Sequence, residues 1–356
     1  MGIDVRTLSA AELAAGAVAE PVLDATSLLE PVLLVDLDGT DGVTAAAAAG
    51  RLPALGGLAV GFCSGTVPSQ LAPLTAALDV TYAAEADAAD RAIVRTGDVE
   101  LAVAEFVDCV RRYPQASHIA AQVLRASESL PVPAAIDVES FAYSTLQGGA
   151  EFGDWLGERR RLGRPLPPPP ETDPVLLAAD GDTLRITLNR PERRNAYGTA
   201  LRDALVDALR IALLAETFGT IVLDGAGSSF CSGGDLDEFG HAPDTATAHQ
   251  IRTRGGAARL MARLADRTEV RLHGHCVGAG IEISAFAGRV VAAADTVIRL
   301  PEVGMGLIPG AGGTVSVPRR IGRWRALHLF VTGASLDVRH ALEWGLVDEI
   351  IGGPER

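Results

Sequence analysis

The sequence predicts an α/β protein built in two parts, and three observations carry that prediction. Strands, glycine turns and amphipathic helices alternate through the second half, the pattern of successive βαβ units. The run RPLPPPPETDP at 164–174 favours an extended polyproline geometry that neither a helix nor a central strand accepts. It divides an N-terminal domain, 1–163, from a second domain, 175–352. Finally, 356 residues, 48% of them hydrophobic, suffice for a large core and two domains.

The second half opens with VLLAADGDTLRITLNRP, where Leu184, Ile186 and Leu188 alternate as in a strand. ALRDALVDALRIALLAE has the i, i+3, i+4 spacing of an amphipathic helix. TIVLDGAG reads as a short buried strand ending in a glycine turn. VRLHGHCVGAG, IEISAFAGR and VVAAADTVIRLPE then repeat the alternation. In the first half PVLLVDLDG and LGGLAVGFCSG read as buried strands, and the chain turns helical from about Asp98 onward. Tyr113-Pro114 and the prolines at 131 and 133 break those helices. The N-terminal domain is therefore expected to be mixed and largely helical.

A net charge of −14 argues against nucleic acid or an anionic membrane as partner. No apolar run approaches the ~20 residues that span a bilayer. The N-terminus carries acids and lacks a basic stretch followed by a hydrophobic one, so it does not read as a secretion signal. Nor does Arg6 suit a myristoylation motif. Cys63, Cys109, Cys231 and Cys276 are widely spaced, which reads as free thiols in a reducing cytoplasm, with no metal site. All 31 basic residues are arginine. Without lysine, pyridoxal-phosphate enzymes, Schiff-base aldolases and Walker-type NTPases are excluded. Anionic groups must then be held by arginine, backbone amides or helix N-termini.

DLDGT at 36–40 matches the nucleophile motif of a phosphatase class that also needs a lysine, so it reads as a strand ending in an acidic turn. His273 and His275 read as structural histidines at a strand end. Glu282 and Glu302 stand out more. They lie in a stretch otherwise apolar enough to be core, where carboxylates are rare without a partner. SSFCSGGDLDEF, 228–239, reads as a glycine turn leading into a helix, and HCVGAGIEIS as a second. Each turn alone is also what an ordinary helix cap looks like. Together they can bring two unpaired amides to one oxygen, with the two glutamates beside it for proton transfer.

These motifs resemble the crotonase (enoyl-CoA hydratase/isomerase) superfamily over about 182–351. The matching segments are LNRPERRNAY (188–197), FCSGGDL (230–236), GHCVGAGIEIS (274–284), LPEVGMGLIPGAGGT (300–314) and VTGASLDVRHALEWGLVDEII (331–351). The resemblance implies an α/β fold with a crotonase-like ββα-superhelix core. By position it puts the oxyanion-hole amides on Gly234 and Ala279 and the hydratase acids on Glu282 and Glu302. Hydratases usually carry glycine where this chain has Ala279, whose methyl would narrow the acyl slot. Retention of both acids favours hydration of a 2-enoyl-CoA, a lyase reaction of fatty acid metabolism. Arg193, Arg194 and Ala196 would border the CoA, and Asp235 would orient its turn. Ser232, Gly233, Gly278, Pro309 and Gly310 complete the implied substrate-binding set. The expected partner is an acyl-CoA thioester, the coenzyme A of the substrate serving in place of any cofactor, and the expected assembly a homo-oligomer, trimer or hexamer.

In the family, helices that follow the core cover the active site and build the trimer. Here residues 98–161 look similar to those helices, ending in ESFAYSTLQGGAEFGDWLGERRR. The first half is therefore expected to be a degenerate crotonase repeat supplying cover helices, an unrelated helical fusion being the alternative. Competing functions are other enolate chemistry (isomerase, hydrolase or a specialised biosynthetic step), a non-catalytic CoA-binding subunit, and a phosphatase built on DLDGT.

Overall fold

The computed structural model describes residues 5–17, 32–54, 56–163, 168, 172–215 and 217–352. Most of the predicted linker, 164–174, lies outside the described residues.

A five-stranded parallel sheet forms the front of the chain. Its strands are β1 (Thr7–Ser9), β2 (Val32–Asp36), β3 (Leu58–Thr66), β4 (Val80–Glu85) and β5 (Ile93–Arg95), side by side in chain order. Helices α1 (Ala10–Ala14), α2 (Gly42–Ala49) and α3 (Ala72–Ala77) connect them. The motif DLDGT ends β2, and Asp41 accepts the Thr44 amide to cap α2. β4 is a strand that sequence reading passed over: its alanines suit a helix, but its first four residues are buried between neighbours on both sides, and burial overrides propensity there. Four helices follow: α4 (Val99–Arg112), α5 (Pro114–Ser127), α6 (Val132–Gln147) and α7 (Ala150–Leu162).

The second half begins with the hairpin β6 (Val175–Asp180) and β7 (Thr183–Leu188), helix α8 (Thr199–Leu214) and β8 (Thr220–Gly225). Helices α9 (Thr245–Gly255) and α10 (Ala258–Leu264) lead to β9 (Thr268–Leu272), β10 (His275–Val277) and helix α11 (Ala279–Ser284). Then come β11 (Arg289–Ala293), β12 (Val297–Arg299), α12 (Gly313–Ile321), α13 (Arg323–Thr332), β13 (Leu336–Asp337), α14 (Val338–Trp344) and β14 (Glu349–Ile351). The main sheet has the order β14-β11-β9-β8-β7-β6, parallel except at the hairpin, and β10-β12-β13 form a second, smaller sheet.

One hydrophobic core joins the two halves. Val60, Phe106, Leu124 and Phe152 belong to the same buried cluster as Ile186, Leu209, Ile283 and Phe330. Helices α5 and α6 pack on α12, α4 and α5 on α13, and α6 on α9. A smaller separate core lies under the first sheet, around Val35, Leu71 and Leu78. Helices α5 and α7 also pack on the 302–305 turn that carries Glu302, while α5 and α6 reach Glu282 only through α12, which packs on its helix α11.

Candidate active site

The two glycine turns are brought together by a single parallel bridge, Cys231 to Cys276. The Cys231 amide donates to the His275 carbonyl at 3.2 Å, and the Val277 amide donates to the Cys231 carbonyl at 2.9 Å. Both cysteines are buried free thiols. The first turn is also stitched to LNRPERRNAY: the Ser232 amide donates to Arg194 and the Tyr197 amide to Gly233, at 2.9 and 2.7 Å. Tyr197 in turn accepts from the Asp235 amide, so the Gly234 N–H between these bonds has no backbone acceptor among the described residues.

No helix follows Gly234, contrary to the sequence expectation. The segment 235–244 is a series of turns, and the next helix begins only at Thr245. Side chains hold those turns. Arg193 pairs with Asp235 and Asp237, both at 2.8 Å, and Glu238 accepts the amide and hydroxyl of Thr199 at 2.8 and 2.7 Å. The second turn does open a helix. Ala279 is its first residue, a position whose N–H lacks an intrahelical acceptor. Gly278 before it has φ +47°, and a Cβ there would sit 2.4 Å from Glu302 Oε1. Glycine is needed twice over, for the backbone and for the acid.

Gly234, Ala279, Glu282 and Glu302 line one cavity of about 220 Å³, with Asp235 and Gly310 at its wall. Arg193, Arg194, Ala196, Ser232, Gly233, Gly278 and Pro309 do not line it. Arg193 is committed to its two acids, Ala196 is buried and Arg194 exposed. A larger cavity, about 480 Å³, opens among Val206, Arg210, Arg259 and Arg263; it contains no acid and is separate from these turns.

Glu282 is 2% exposed, and its Oε2 accepts the amides of Ala311 and Gly313 at 2.6 and 3.0 Å. A Cβ on Gly313 would meet its Cγ at 2.5 Å. Glu302 is 9% exposed, and its Oε2 has no hydrogen-bond partner among the described residues. Burial pushes the Glu302 carboxyl up to about 8, with the nearby Glu139 adding to the rise. Glu282 is raised well above the usual carboxylate range, first by burial and then by the charges of Glu302 and Glu139. A pair of acids raised in this way can hold a proton at neutral pH and exchange it with a bound molecule.

Sequence reading missed four residues at this site. Asn195, fully buried with φ +53°, accepts the Arg190 amide at 2.7 Å and donates Nδ2 to the carbonyls of Ala226, Ser229 and Phe230 at 2.9, 2.9 and 3.0 Å. From α6, Glu139 is 1% exposed, and Tyr143 lies where a Cβ on Gly310 would come within 2.3 Å of its ring. Arg252 of α9 stands 4.5 Å over that ring and donates to Ser140, Ser144 and Gln147 of α6. Among the described residues no cluster of side chains is suited to hold a metal ion, and no helix is long and apolar enough to cross a membrane.

Residues 180–355 match the sequence profile described as enoyl-CoA hydratase/isomerase. The chain is 31% identical over 182 residues to 1,2-epoxyphenylacetyl-CoA isomerase of Escherichia coli K12, covering 50% of this chain and 69% of that protein. It is 33% identical over 179 residues to 2,3-dehydroadipyl-CoA hydratase of the same organism, covering 49% and 68%. The crystal structure of enoyl-CoA hydratase from Thermoplasma volcanium GSS1 is similar at 31% identity, with 51% of this chain and 73% of that one covered and a TM-score of 0.47. With curated relatives matched over more than two thirds of their length, and the family's profile spanning the second half, the chain belongs to the enoyl-CoA hydratase/isomerase family and is a crotonase-fold acyl-CoA enzyme.

Proposed function

We propose that the protein hydrates a 2-enoyl-CoA to the 3-hydroxyacyl-CoA. The observation that supports this most directly is the pair of buried glutamates in one cavity with two turn amides, Gly234 and Ala279. The thioester carbonyl accepts from both amides, which stabilise the negative charge that develops on its oxygen; loss of one such donor typically costs ~10²–10³ in rate. Glu282, whose Oε2 is already hydrogen-bonded by two amides, takes a proton from water as the water oxygen bonds to C3. The electron pair of the C2=C3 bond moves onto the thioester as an enolate. Glu302, whose raised carboxyl retains its proton at neutral pH, delivers it to C2. One water is added, and the reaction needs no cofactor beyond the CoA of the substrate.

A second reading is isomerisation, supported by the similarity to an epoxyacyl-CoA isomerase; the same acids would then move a proton between substrate carbons without adding water. Helices α4–α7 are read as the cover of this site, and the first sheet as a degenerate copy of the main sheet of the second half, where β7, β8 and β9 likewise lie side by side in parallel. A panel of acyl-CoA thioesters with product analysis in ¹⁸O-water tests the assignment. Hydration gives ¹⁸O in a 3-hydroxyacyl product, lost in Glu282→Gln and Glu302→Gln with CoA binding retained. Wild-type turnover in the double variant would sink the reading, and an unlabelled isomer would replace it with the second.

A further inference from the structure

Residues 311–314, where α12 begins, present four backbone amides in succession, and the two sides of this turn go to different carboxylates. Ala311 and Gly313 donate to Glu282. Gly312 and Thr314 donate to Glu139, at 2.8 and 2.9 Å, and the Thr314 hydroxyl adds a third bond at 2.7 Å. Amides at a helix start have no intrahelical acceptors, and here they are divided, alternate residues to alternate sides. Gly312, at φ +105°, makes the reversal that allows it.

We propose that Glu139, from α6 of the first half, is a positioning residue for Glu282, holding the shared turn so that the Ala311 and Gly313 amides stay on the Glu282 carboxylate. This inference rests on the reading of Glu282 as a proton-transfer group. Its physical basis is the cost of an orphaned buried amide, ~1–3 kcal/mol. Were Glu139 unable to accept, Gly312 and Thr314 would each be left so, and the turn would rotate to satisfy them. That rotation would draw the odd-numbered amides off Glu282. Glu139 also faces Glu282 as a like charge. The other charged or titratable groups around it are Arg252 of α9, Tyr143 of α6, Glu302 and, on the wall of an adjoining cavity, Tyr197 together with Arg202 of α8. Burial raises the Glu139 carboxyl to about 7, opposed by the hydrogen bonds from Thr314 and Gly312 and by the Arg252 charge, which favour its ionised form.

The test uses the full chain with Glu139→Gln. A glutamine keeps one acceptor oxygen but turns an NH₂ towards amide donors, and it removes the charge. The expected result is a loss of kcat of roughly ten- to hundredfold, an unchanged Kd for an unreactive acyl-CoA thioether, and movement of the Glu282-linked limb of the pH–rate profile to higher pH. Loss of the Ala311 and Gly313 amides removes hydrogen bonds that favour the ionised Glu282 carboxyl and raises its pKa, whereas removal of the Glu139 anion alone lowers it, so downward movement also overturns the proposal. Full kcat with an unmoved limb overturns the proposal. So does a loss of kcat with an unmoved limb, which marks a purely structural glutamate. ¹³C NMR titration of the glutamate carboxyls, with Glu282→Gln to assign the resonance, reads the same upward shift in protein that turns over no enoyl-CoA, so a failure of the functional reading is told apart from a failure of this one. Should Glu139→Gln not fold, Thr314→Val removes one donor to Glu139, and the same limb and resonance are expected to move the same way by less; no movement overturns the proposal.

Discussion

The hydroxyl of Tyr82 meets Nδ1 of His328 at 2.9 Å, joining β4 of the first half to α13 of the second. Burial holds the His328 imidazole down to about 4, from 6.5. A depressed folded-state value means that the neutral ring contributes stability above 6.5 that is lost as pH falls from 6.5 towards 4. That loss is on the order of 3 kcal/mol for this group. Thermal melts from neutral to acid pH are expected to fall more steeply for wild type than for His328→Gln. Parallel curves would remove His328 from the account.

Asp79 is a second tie between the halves, and a costlier one to cut. It is 2% exposed, accepts from Arg125 Nε and Nη2 at 2.7 and 2.6 Å, and lies 3.6 Å from Arg323 of α13. It also accepts the Ala59 amide at 2.8 Å. Replacement by alanine leaves Arg125 without its carboxylate and Arg323 with only Glu128, 3.4 Å away. Loss of one member of a buried ion pair typically costs ~3–5 kcal/mol. Chemical denaturation of Asp79→Ala is expected to show a drop in that range; a drop below about 1 kcal/mol, the level of a surface pair, would contradict it.

Asn195→Asp isolates the scaffold behind the first turn. The side-chain NH₂ that serves three carbonyls becomes an oxygen facing them. The expected cost is about 3 kcal/mol or more, an unpaired buried charge combined with lost hydrogen bonds. It should appear as a lower midpoint in denaturation and a weakened affinity for acyl-CoA. An unchanged midpoint would mean that the loop finds other partners.

Much of the site was legible because its chemistry is local. FCSGG and HCVGAG announce turns by their glycines, and Glu282 and Glu302 stand out as acids among apolar neighbours. Glu139 was not legible in that way, since the turn it holds lies 173 residues further along the chain. A signal did exist: Ile136, Glu139, Ser140, Tyr143 and Leu146 are the buried face of α6, so the acid lies on the apolar stripe rather than the solvent side. The helix expected after Gly234 failed for the converse reason. Local pattern suggested it, but Arg193 and Thr199 hold the acids of that segment in turns.

Glu302→Gln tests whether the candidate site is maintained against the stability of the fold. Raised from 4.5 to about 8, the folded-state carboxyl contributes stability that is complete below 4.5 and is lost as pH rises to about 8. A glutamine does not titrate, so the variant is expected to gain Tm relative to wild type steadily across that window and to keep a constant advantage above it. The same substitution removes the proton that the hydration scheme delivers to C2, so turnover should fall by about two orders of magnitude or more. Higher stability with lower activity is the signature of a group kept for chemistry. A Tm difference that is flat from acid to alkaline pH would show that Glu302 ionises freely, and would remove it as the proton donor.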